Sequence, residues 1–138
     1  MVKRDALDAI FSNLIRERND YTCEACGKNY RHDTRNAHCA HIHTRKHRPT
    51  RWHVDGALCL CAKCHRRYTD FPLEWQGFVR GYYGDDKYES IKRLAWTIRK
   101  YTRAEKDEMK THYRAQLKYM EKRRAGGEGG YIDFVGYD

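Results

Sequence analysis

Two Cys-x-x-Cys pairs carry the clearest chemistry in this chain. Cys23 and Cys26 form the first pair, and Cys61 and Cys64 form the second. Two intervening residues place both cysteines on one tight turn, so that the sulfurs of each pair can face one ion. Four thiolates supplied in this way are typical ligands of a structural zinc, which they surround as a tetrahedron. We therefore expect one zinc ion that joins two distant parts of the chain.

Histidines lie between the two pairs and directly after the second. His38, His41 and His43 fall within a short segment, and His65 follows Cys64. Hydrolysis of a phosphodiester needs a base that activates water and a cation that neutralises negative charge, and imidazole can act as the base or bind the cation. We assign His41 as the base and His65 as a ligand of the divalent ion. The second ligand stays open between His38 and His43.

The charge balance favours a polyanionic partner. The chain has 28 lysine and arginine residues against 19 aspartate and glutamate residues, a net charge of +9 with neutral histidines. Nucleic acid is the commonest partner of so basic a chain, because guanidinium groups match phosphate oxygens. We therefore predict DNA binding. The expected phosphate contacts come from basic residues near the histidines: Arg45, Lys46, Arg48, Arg51, Arg66 and Arg67.

Length and hydropathy predict one small domain. With 138 residues and a mean hydropathy of −1.03, the chain can bury only a small core, and a bound metal would add stability. No apolar run is long enough to span a membrane, and residues 1–5 contain no apolar signal region. Cysteines in such a chain are expected to be metal ligands in a reducing compartment, which predicts a cytoplasmic location.

Periodicity predicts helices on either side of a short β-structure. An apolar stripe at helical spacing predicts a helix over residues 3–18. Alternation over residues 37–43 predicts a strand that places Cys39, His41 and His43 on one face. The following predicted segments are a basic loop at 45–51, a second strand at 52–55, an apolar run at 57–60 and a helix that begins near His65.

Helical patterns dominate the C-terminal half. Residues 72–83 form one predicted helix, which Gly84 ends. A capping box of Thr102 and Glu105 begins the last predicted helix, which runs to residue 124. An apolar stripe marks a further helix between them, with the residues Ile91, Leu94, Ala95 and Ile98. The glycine-rich linker at residues 126–130 precedes an apolar tail that we expect to dock on this chain or on a partner.

These patterns predict an α+β fold in which a small zinc-bound core is flanked by helices. The predicted divisions are an N-terminal helix at 1–20, the zinc-bound core at 21–72, a helical region at 73–125, and a linker and tail at 126–138. Cys39 and Cys59 fall outside the pairs and are expected to be small buried thiols. The oligomeric state stays open, a homodimer included.

The segment from Cys23 to Glu74 resembles the HNH nucleases, whose active site is a ββα-metal fold. In that family a histidine ends one strand, and a histidine or asparagine follows the second cysteine of a Cys-x-x-Cys motif. His41 matches the first element, and His65 after Cys64 matches the last. The Cys23 and Cys26 pair completes the zinc knuckle that many members carry. The residues most similar to phage-encoded members are His38, His41, Arg45, Arg51 and the segment 70–74.

The resemblance implies a metal-dependent endonuclease that nicks DNA or cuts both strands and leaves 5′-phosphate and 3′-hydroxyl ends. It implies a structural zinc and a catalytic Mg²⁺, Mn²⁺ or other divalent ion, and a bacterial host cell if the protein is phage-encoded. It favours His38 as the second ligand, because some junction-resolving members carry an acidic ligand three residues before the base. Two alternatives stay open: a non-catalytic zinc module that binds nucleic acid, and a structure-selective junction resolvase.

The chain departs from the family at Gly56. The family has an asparagine there, five residues before the Cys-x-x-Cys motif, which pins the loop between the strands and in some members touches the metal. Glycine has no side chain for either role. The neighbouring Asp55 is the candidate substitute, and a weakened site is the other outcome.

Overall fold

The fold combines helices with one small antiparallel sheet, as seen in a computed structural model that describes residues 2–137. The elements in chain order are α1 Ala6–Arg18, β1 Ala37–His41, α2 Arg48–Arg51, β2 Ala57–Cys61, α3 Ala62–Asp70, α4 Pro72–Tyr83, α5 Asp85–Ala95 and α6 Arg103–Ala125. The α+β class predicted from the sequence is confirmed. None of the helices within residues 2–137 is both long and apolar enough to cross a bilayer.

Helix α1 begins later than its apolar stripe suggested, because Asp5 caps it. The Asp5 carboxylate accepts from the Asp8 N–H at 3.0 Å, and the Asp8 carboxylate accepts from the Asp5 N–H at 2.8 Å. This reciprocal pairing satisfies two N–H groups that the first turn leaves without partners. The end of α1 anchors the start of β2, since Arg18 donates to the carbonyls of Val54 and Ala57 at 2.6 and 3.0 Å.

The two strands pair in a register that brings the histidine segment beside the second cysteine pair. Ala37 lies opposite Cys61 and His41 lies opposite Ala57. The prediction of a strand at residues 52–55 is wrong, because the Gly56 N–H bonds to the His53 carbonyl at 2.9 Å in a turn. The second strand begins only at Ala57. All five of its residues are buried, which explains its unbroken apolar sequence.

The basic segment after β1 is not entirely a loop. Residues Arg48–Arg51 form one turn of helix, α2, with Pro49 near its start, where a missing N–H is tolerated. Pro49, Thr50, Arg51 and Trp52 are buried. This turn therefore packs into the molecule and carries part of the basic segment inward.

The main core lies between α1, α6 and one face of the sheet. Phe11 of α1 and Tyr113 of α6 are each 1% exposed and contact edge to face, with ring centroids 6.0 Å apart. The C-terminal tail completes this core with Ile132 and Phe134, which are both buried. Its Ile132 N–H bonds to the Arg18 carbonyl at 2.9 Å. The tail thus docks on this chain, an outcome that the sequence left open.

Local sequence signals predicted the bounds of α4 and α6 accurately. Helix α4 spans the predicted residues and Gly84 ends it, and Thr102 and Glu105 form the predicted capping box of α6. The apolar stripe predicted for the helix between them was wrong at Ile98. Helix α5 ends at Ala95, and Ile98 lies beyond it with 95% of its surface exposed. The segment between α5 and α6 is therefore a surface loop.

Candidate active site and metal centre

The four predicted zinc ligands converge. The sulfurs of Cys23, Cys26, Cys61 and Cys64 all lie within 4.8 Å of one another. Tetrahedral zinc with bonds of about 2.3 Å separates its sulfurs by roughly 3.8 Å. The Sγ atoms of Cys26 and Cys61 are 3.9 Å apart, so this cluster is compatible with a structural zinc site.

Each half of the cluster is built by a backbone turn. Gly27 adopts a φ of +78°, as its place after Cys26 predicts. Cys61 ends β2 and also caps α3, since its sulfur accepts from the Cys64 N–H at 3.4 Å. Burial raises the pKa of the Cys61 thiol, but hydrogen bonds from Cys64 and other neighbours outweigh burial and lower it to about 7. A thiol whose pKa is lowered in this way readily loses its proton and can bind a metal as a thiolate.

His38 and His65 face each other across the junction of β1 and α3. Their Nδ1 atoms are 2.9 Å apart, and the rings are nearly perpendicular. Two imidazole nitrogens this close need a proton or a cation between their lone pairs. Two nitrogens bound at about 2.1 Å to adjacent positions of one ion would stand roughly 3 Å apart, so the pair fits a shared divalent ion. Burial lowers the pKa of His65, and the nearby His38 lowers it further, which favours the neutral ring that binds metals.

His41, at the end of β1, is held in one tautomer. Its Nε2 lies 3.0 Å from the Arg51 carbonyl oxygen, which can only accept, so Nε2 carries the hydrogen. Nδ1 therefore keeps its lone pair for a proton. Burial lowers the pKa of His41, although the hydrogen bond to the Arg51 carbonyl opposes that effect. The ring is thus neutral at pH 7, as a general base must be.

Asp8 fixes the carbonyl that orients His41. Its carboxylate accepts from Arg51 Nε at 2.9 Å and from Arg51 Nη2 at 2.5 Å, and Trp52 Nε1 donates to it at 3.0 Å. Burial raises the pKa of Asp8, but these hydrogen bonds outweigh burial and lower it to about 2. The carboxylate thus ties the end of α2 to α1 and holds the backbone that bonds His41.

The three histidines line one cavity of about 460 Å³, and four arginines line it with them. Its side chains include His38, His41 and His65 from the sheet and α3, together with Arg4, Asp8, Ser12, Arg16, Arg35 and Arg45. A second opening of about 510 Å³ shares His41, Arg45 and His65 and adds the aromatic residues Tyr68 and Trp75. The histidines therefore lie where a basic cleft meets an apolar one.

The sequence analysis did not assign Arg4, Ser12, Arg16 or Arg35 to the site. A signal for three of these was present, because Arg4, Asp8, Ser12 and Arg16 recur at intervals of four residues, the spacing of one helix face. Arg35 precedes β1 and has no such pattern. The packing of α1 against β1 brings Ser12 and Arg16 to the histidines, whereas Arg35 lies two residues before β1.

His43 lies apart from the cavity. Strand β1 ends at His41, so the alternation that would place His43 on the same face stops before it. The ring of His43 packs near His47 and Tyr88, with centroids 6.2 and 6.4 Å away. It does not line either opening at the three histidines.

The residues predicted to contact phosphate divide into three groups. Arg51 is buried in its ion pair with Asp8, so it does not offer its guanidinium to a ligand. Arg45 lines both openings, and its Nη1 lies 3.6 Å from an Asp8 oxygen. The remaining four side chains are exposed: Lys46, Arg48, Arg66 and Arg67, the last in an ion pair with Glu74.

The backbone explains the glycine at position 56. A Cβ atom at Gly56 would lie 2.1 Å from the Thr50 carbonyl oxygen, so no larger residue fits this turn. The Gly56 carbonyl accepts from the Ile42 N–H at 3.0 Å, which ties the loop between the strands by backbone alone. Asp55 does not replace an asparagine in the cavity, because its carboxylate pairs with Lys87 of α5 at 3.2 Å.

Cys39 and Cys59 lie opposite each other in the sheet, away from the four-cysteine cluster. Cys59 is fully buried and Cys39 is half-buried. Burial raises the pKa of both thiols to about 12, so both are protonated and behave as small apolar side chains.

Comparison of the chain with protein-family models, with curated proteins and with solved structures finds no match.

Proposed function

We propose that this protein is a metal-dependent endonuclease that hydrolyses DNA phosphodiester bonds. The observation that carries the proposal is the convergence of His38, His41 and His65 on one cavity. The Nδ1 atoms of His38 and His65 are 2.9 Å apart. The hydrogen bond from His41 Nε2 to the Arg51 carbonyl leaves the lone pair of His41 Nδ1 free. Few reactions need a metal-binding pair and a neutral base inside an arginine-lined cleft. Cleavage of a phosphodiester is one of them.

Each residue has a distinct role in this proposal. His38 and His65 would hold a divalent ion, Mg²⁺, Mn²⁺ or another, which when bound neutralises charge on the phosphate and on the leaving oxygen. His41 removes a proton from the attacking water at Nδ1, while the Arg51 carbonyl keeps its ring in place. Arg35 and Arg45 attract and orient the phosphate backbone.

The zinc assigned to the four cysteines has a positioning role. Cys64 is bonded to His65 along the chain, so an ion at the cluster would fix the first turn of α3 and with it the metal-binding ring. The order β1, β2, α3 and the place of His41 at a strand end agree with the HNH resemblance of the sequence. The backbone tie at Gly56 would supply the pinning of the loop for which HNH nucleases use an asparagine.

A plasmid-nicking assay with purified protein, with and without Mg²⁺ or Mn²⁺, tests the proposal. His41→Ala should lower the rate by a factor on the order of 10²–10⁴, because general-base catalysis contributes about that much. Added metal should not restore it. His65→Ala and His38→Ala should lower activity because they weaken binding of the divalent ion, and more Mn²⁺ should restore part of it.

His43→Ala is the matched control, since this histidine lies outside the cavity and should leave the rate near that of the wild type. A His41→Ala protein that nicks at the wild-type rate contradicts the assignment of the base. If the wild-type protein binds DNA but never nicks it with either ion, the protein is a non-catalytic zinc module. A panel of linear, nicked, branched and four-way DNAs then tests whether an active enzyme is selective for junctions.

A further inference from the structure

A second basic surface lies next to the histidine cavity, between α2 and the loop that joins α5 to α6. It is a groove of about 460 Å³ lined by Lys46, His47 and Arg48 on one side and by Trp96, Ile98 and Lys100 on the other. Arg45 lines both this groove and the histidine cavity, so the two lie on either side of this one side chain. We refer to it as the Trp96 groove.

The Trp96 groove is positively charged and keeps its charge available. Lys46, Arg48 and Lys100 are exposed, and no carboxylate within residues 2–137 forms an ion pair with any of them. Its other three arginines are already paired, Arg45 and Arg51 with Asp8 and Arg99 with Glu105. Three free cations in one groove match a run of phosphates.

An exposed aromatic ring stands among these cations. Trp96 is 65% exposed, and its ring meets His47 almost at a right angle with centroids 4.5 Å apart. The end of α5 fixes its position, since the Trp96 N–H bonds to the Lys92 carbonyl at 3.3 Å and Thr97 bonds to Leu94 through both its N–H and its hydroxyl. Ile98 adds a second apolar side chain to the same loop. The groove therefore presents apolar surface among its cations.

We propose that Trp96 stacks on an unpaired base of the DNA whose phosphate occupies the histidine cavity. Aromatic rings beside cations are how proteins bind unpaired nucleotides, because every base has a π-face and every nucleotide a phosphate. Bases inside a continuous duplex are stacked on each other and cannot cover the ring. The preferred substrate is then DNA with an unpaired nucleotide or flap near the scissile phosphate. The position of this DNA relative to the histidine cavity rests on the endonuclease function proposed above.

Binding measurements without added Mg²⁺ or Mn²⁺ test the stacking apart from cleavage. Three DNAs are compared by fluorescence anisotropy: a continuous duplex, the same duplex with one unpaired adenine, and that duplex with an abasic nucleotide in place of the adenine. Wild-type protein should prefer the unpaired adenine. Trp96→Ala should weaken binding of that DNA by about tenfold and change the other two by less than about twofold. Trp96→Phe should retain most of the preference.

Tyr119→Ala is the control, because Tyr119 is 60% exposed on α6 and does not line the Trp96 groove. Melting temperature and zinc content should be unchanged in all variants, since both side chains are exposed. Equal binding of all three DNAs by wild type and Trp96→Ala overturns the inference. A Trp96→Ala protein that loses affinity equally for all three DNAs also overturns it. So does a Trp96→Ala protein that binds DNA as the wild type does but has lost a dimer or binding to anionic vesicles.

The outcomes also separate this inference from the proposed activity. If nicking is absent but the Trp96-dependent preference for the unpaired adenine holds, the chemistry assigned to the histidines is wrong and the stacking stands. If nicking occurs and Trp96→Ala binds every DNA as the wild type does, the stacking is wrong and the endonuclease stands.

Discussion

At the scale of single residues, Asp8 shows how a buried charge positions a side chain, His41, that it does not touch. Its carboxylate is almost fully buried, yet it is ionised because Arg51, Trp52 and the Asp5 N–H all donate to it. The Arg51 carbonyl then bonds His41. Replacing Asp8 should therefore affect both stability and the orientation of the His41 ring.

The pH dependence of stability tests this role of Asp8. The pKa of Asp8 is lowered from 3.8 to about 2 in the folded protein, so its ionised form stabilises the fold above about pH 4, and this contribution disappears as the pH falls toward 2. A shift of this size corresponds to roughly 2 kcal/mol. Asp8→Asn should lower the free energy of unfolding at pH 7 and flatten its change between pH 4 and 2, measured by urea unfolding.

Asp107→Asn, at an exposed carboxylate of α6, provides the comparison and should leave the profile unchanged. An Asp8→Asn protein with the wild-type acid profile would show that the ion pair with Arg51 does not stabilise the fold.

At the scale of elements, the junction of β2 and α3 combines a structural and a functional role. Cys61 is the last residue of the strand and the cap of the helix, and Cys64 and His65 stand in the first turn that follows. The Cys23 segment joins the same strand, because the Glu24 N–H bonds to the Cys59 carbonyl at 2.8 Å. An ion held by the cysteines would thus fix the sheet, the helix and His65 together.

Cys61→Ser should release the zinc and destabilise this junction. One replaced thiolate leaves an incomplete tetrahedron, and metal binding contributes to folding free energy. Metal analysis should show about one zinc per chain in the wild type and much less in the variant, with a lower melting temperature. Cys39→Ser removes a thiol outside the cluster and should keep its zinc. A Cys61→Ser protein with full zinc content and unchanged melting temperature would contradict the site.

At the scale of the whole molecule, helix α1 is shared between the core and the cavity. One face packs on α6 and the tail through Phe11, while the neighbouring face brings Ser12 and Arg16 to the histidines. Arg35 and Arg45 complete a positive wall around the proposed phosphate position. The net charge of +9 is thus concentrated in part where the chemistry is proposed.

DNA binding should therefore weaken steeply with salt, because each neutralised phosphate releases counterions. Arg35→Ala should weaken binding on all sequences alike and reduce the slope of log K against log salt by about 1. Arg114→Ala removes an exposed arginine of α6 outside both openings and should keep the wild-type slope. Titrations over a range of NaCl concentrations measure both. Affinity that does not change with salt would show that the basic surface serves another partner.

The sequence by itself determined the features that depend on short-range signals. The spacing of Cys23, Cys26, Cys61 and Cys64 located the metal cluster, and the caps at Gly84 and Thr102 located helix ends, because a turn or a cap is decided by a few neighbouring residues. His41 and His65 were singled out by their chemistry and position, and His38 was favoured over His43 only by the family resemblance; the structure brings His38, His41 and His65 to one cavity.

Only the tertiary structure decided which side chains are available. Arg51 looked like the other basic residues of its segment, yet Asp8, 43 positions away, holds it in the interior. His43 followed the same alternation as His41, but β1 ends before it. Ser12 and Arg16 join the cavity because α1 packs against β1. Whether a side chain is buried or paired depends on which distant elements pack together. The free energy of that packing cannot be read from a local pattern of residues.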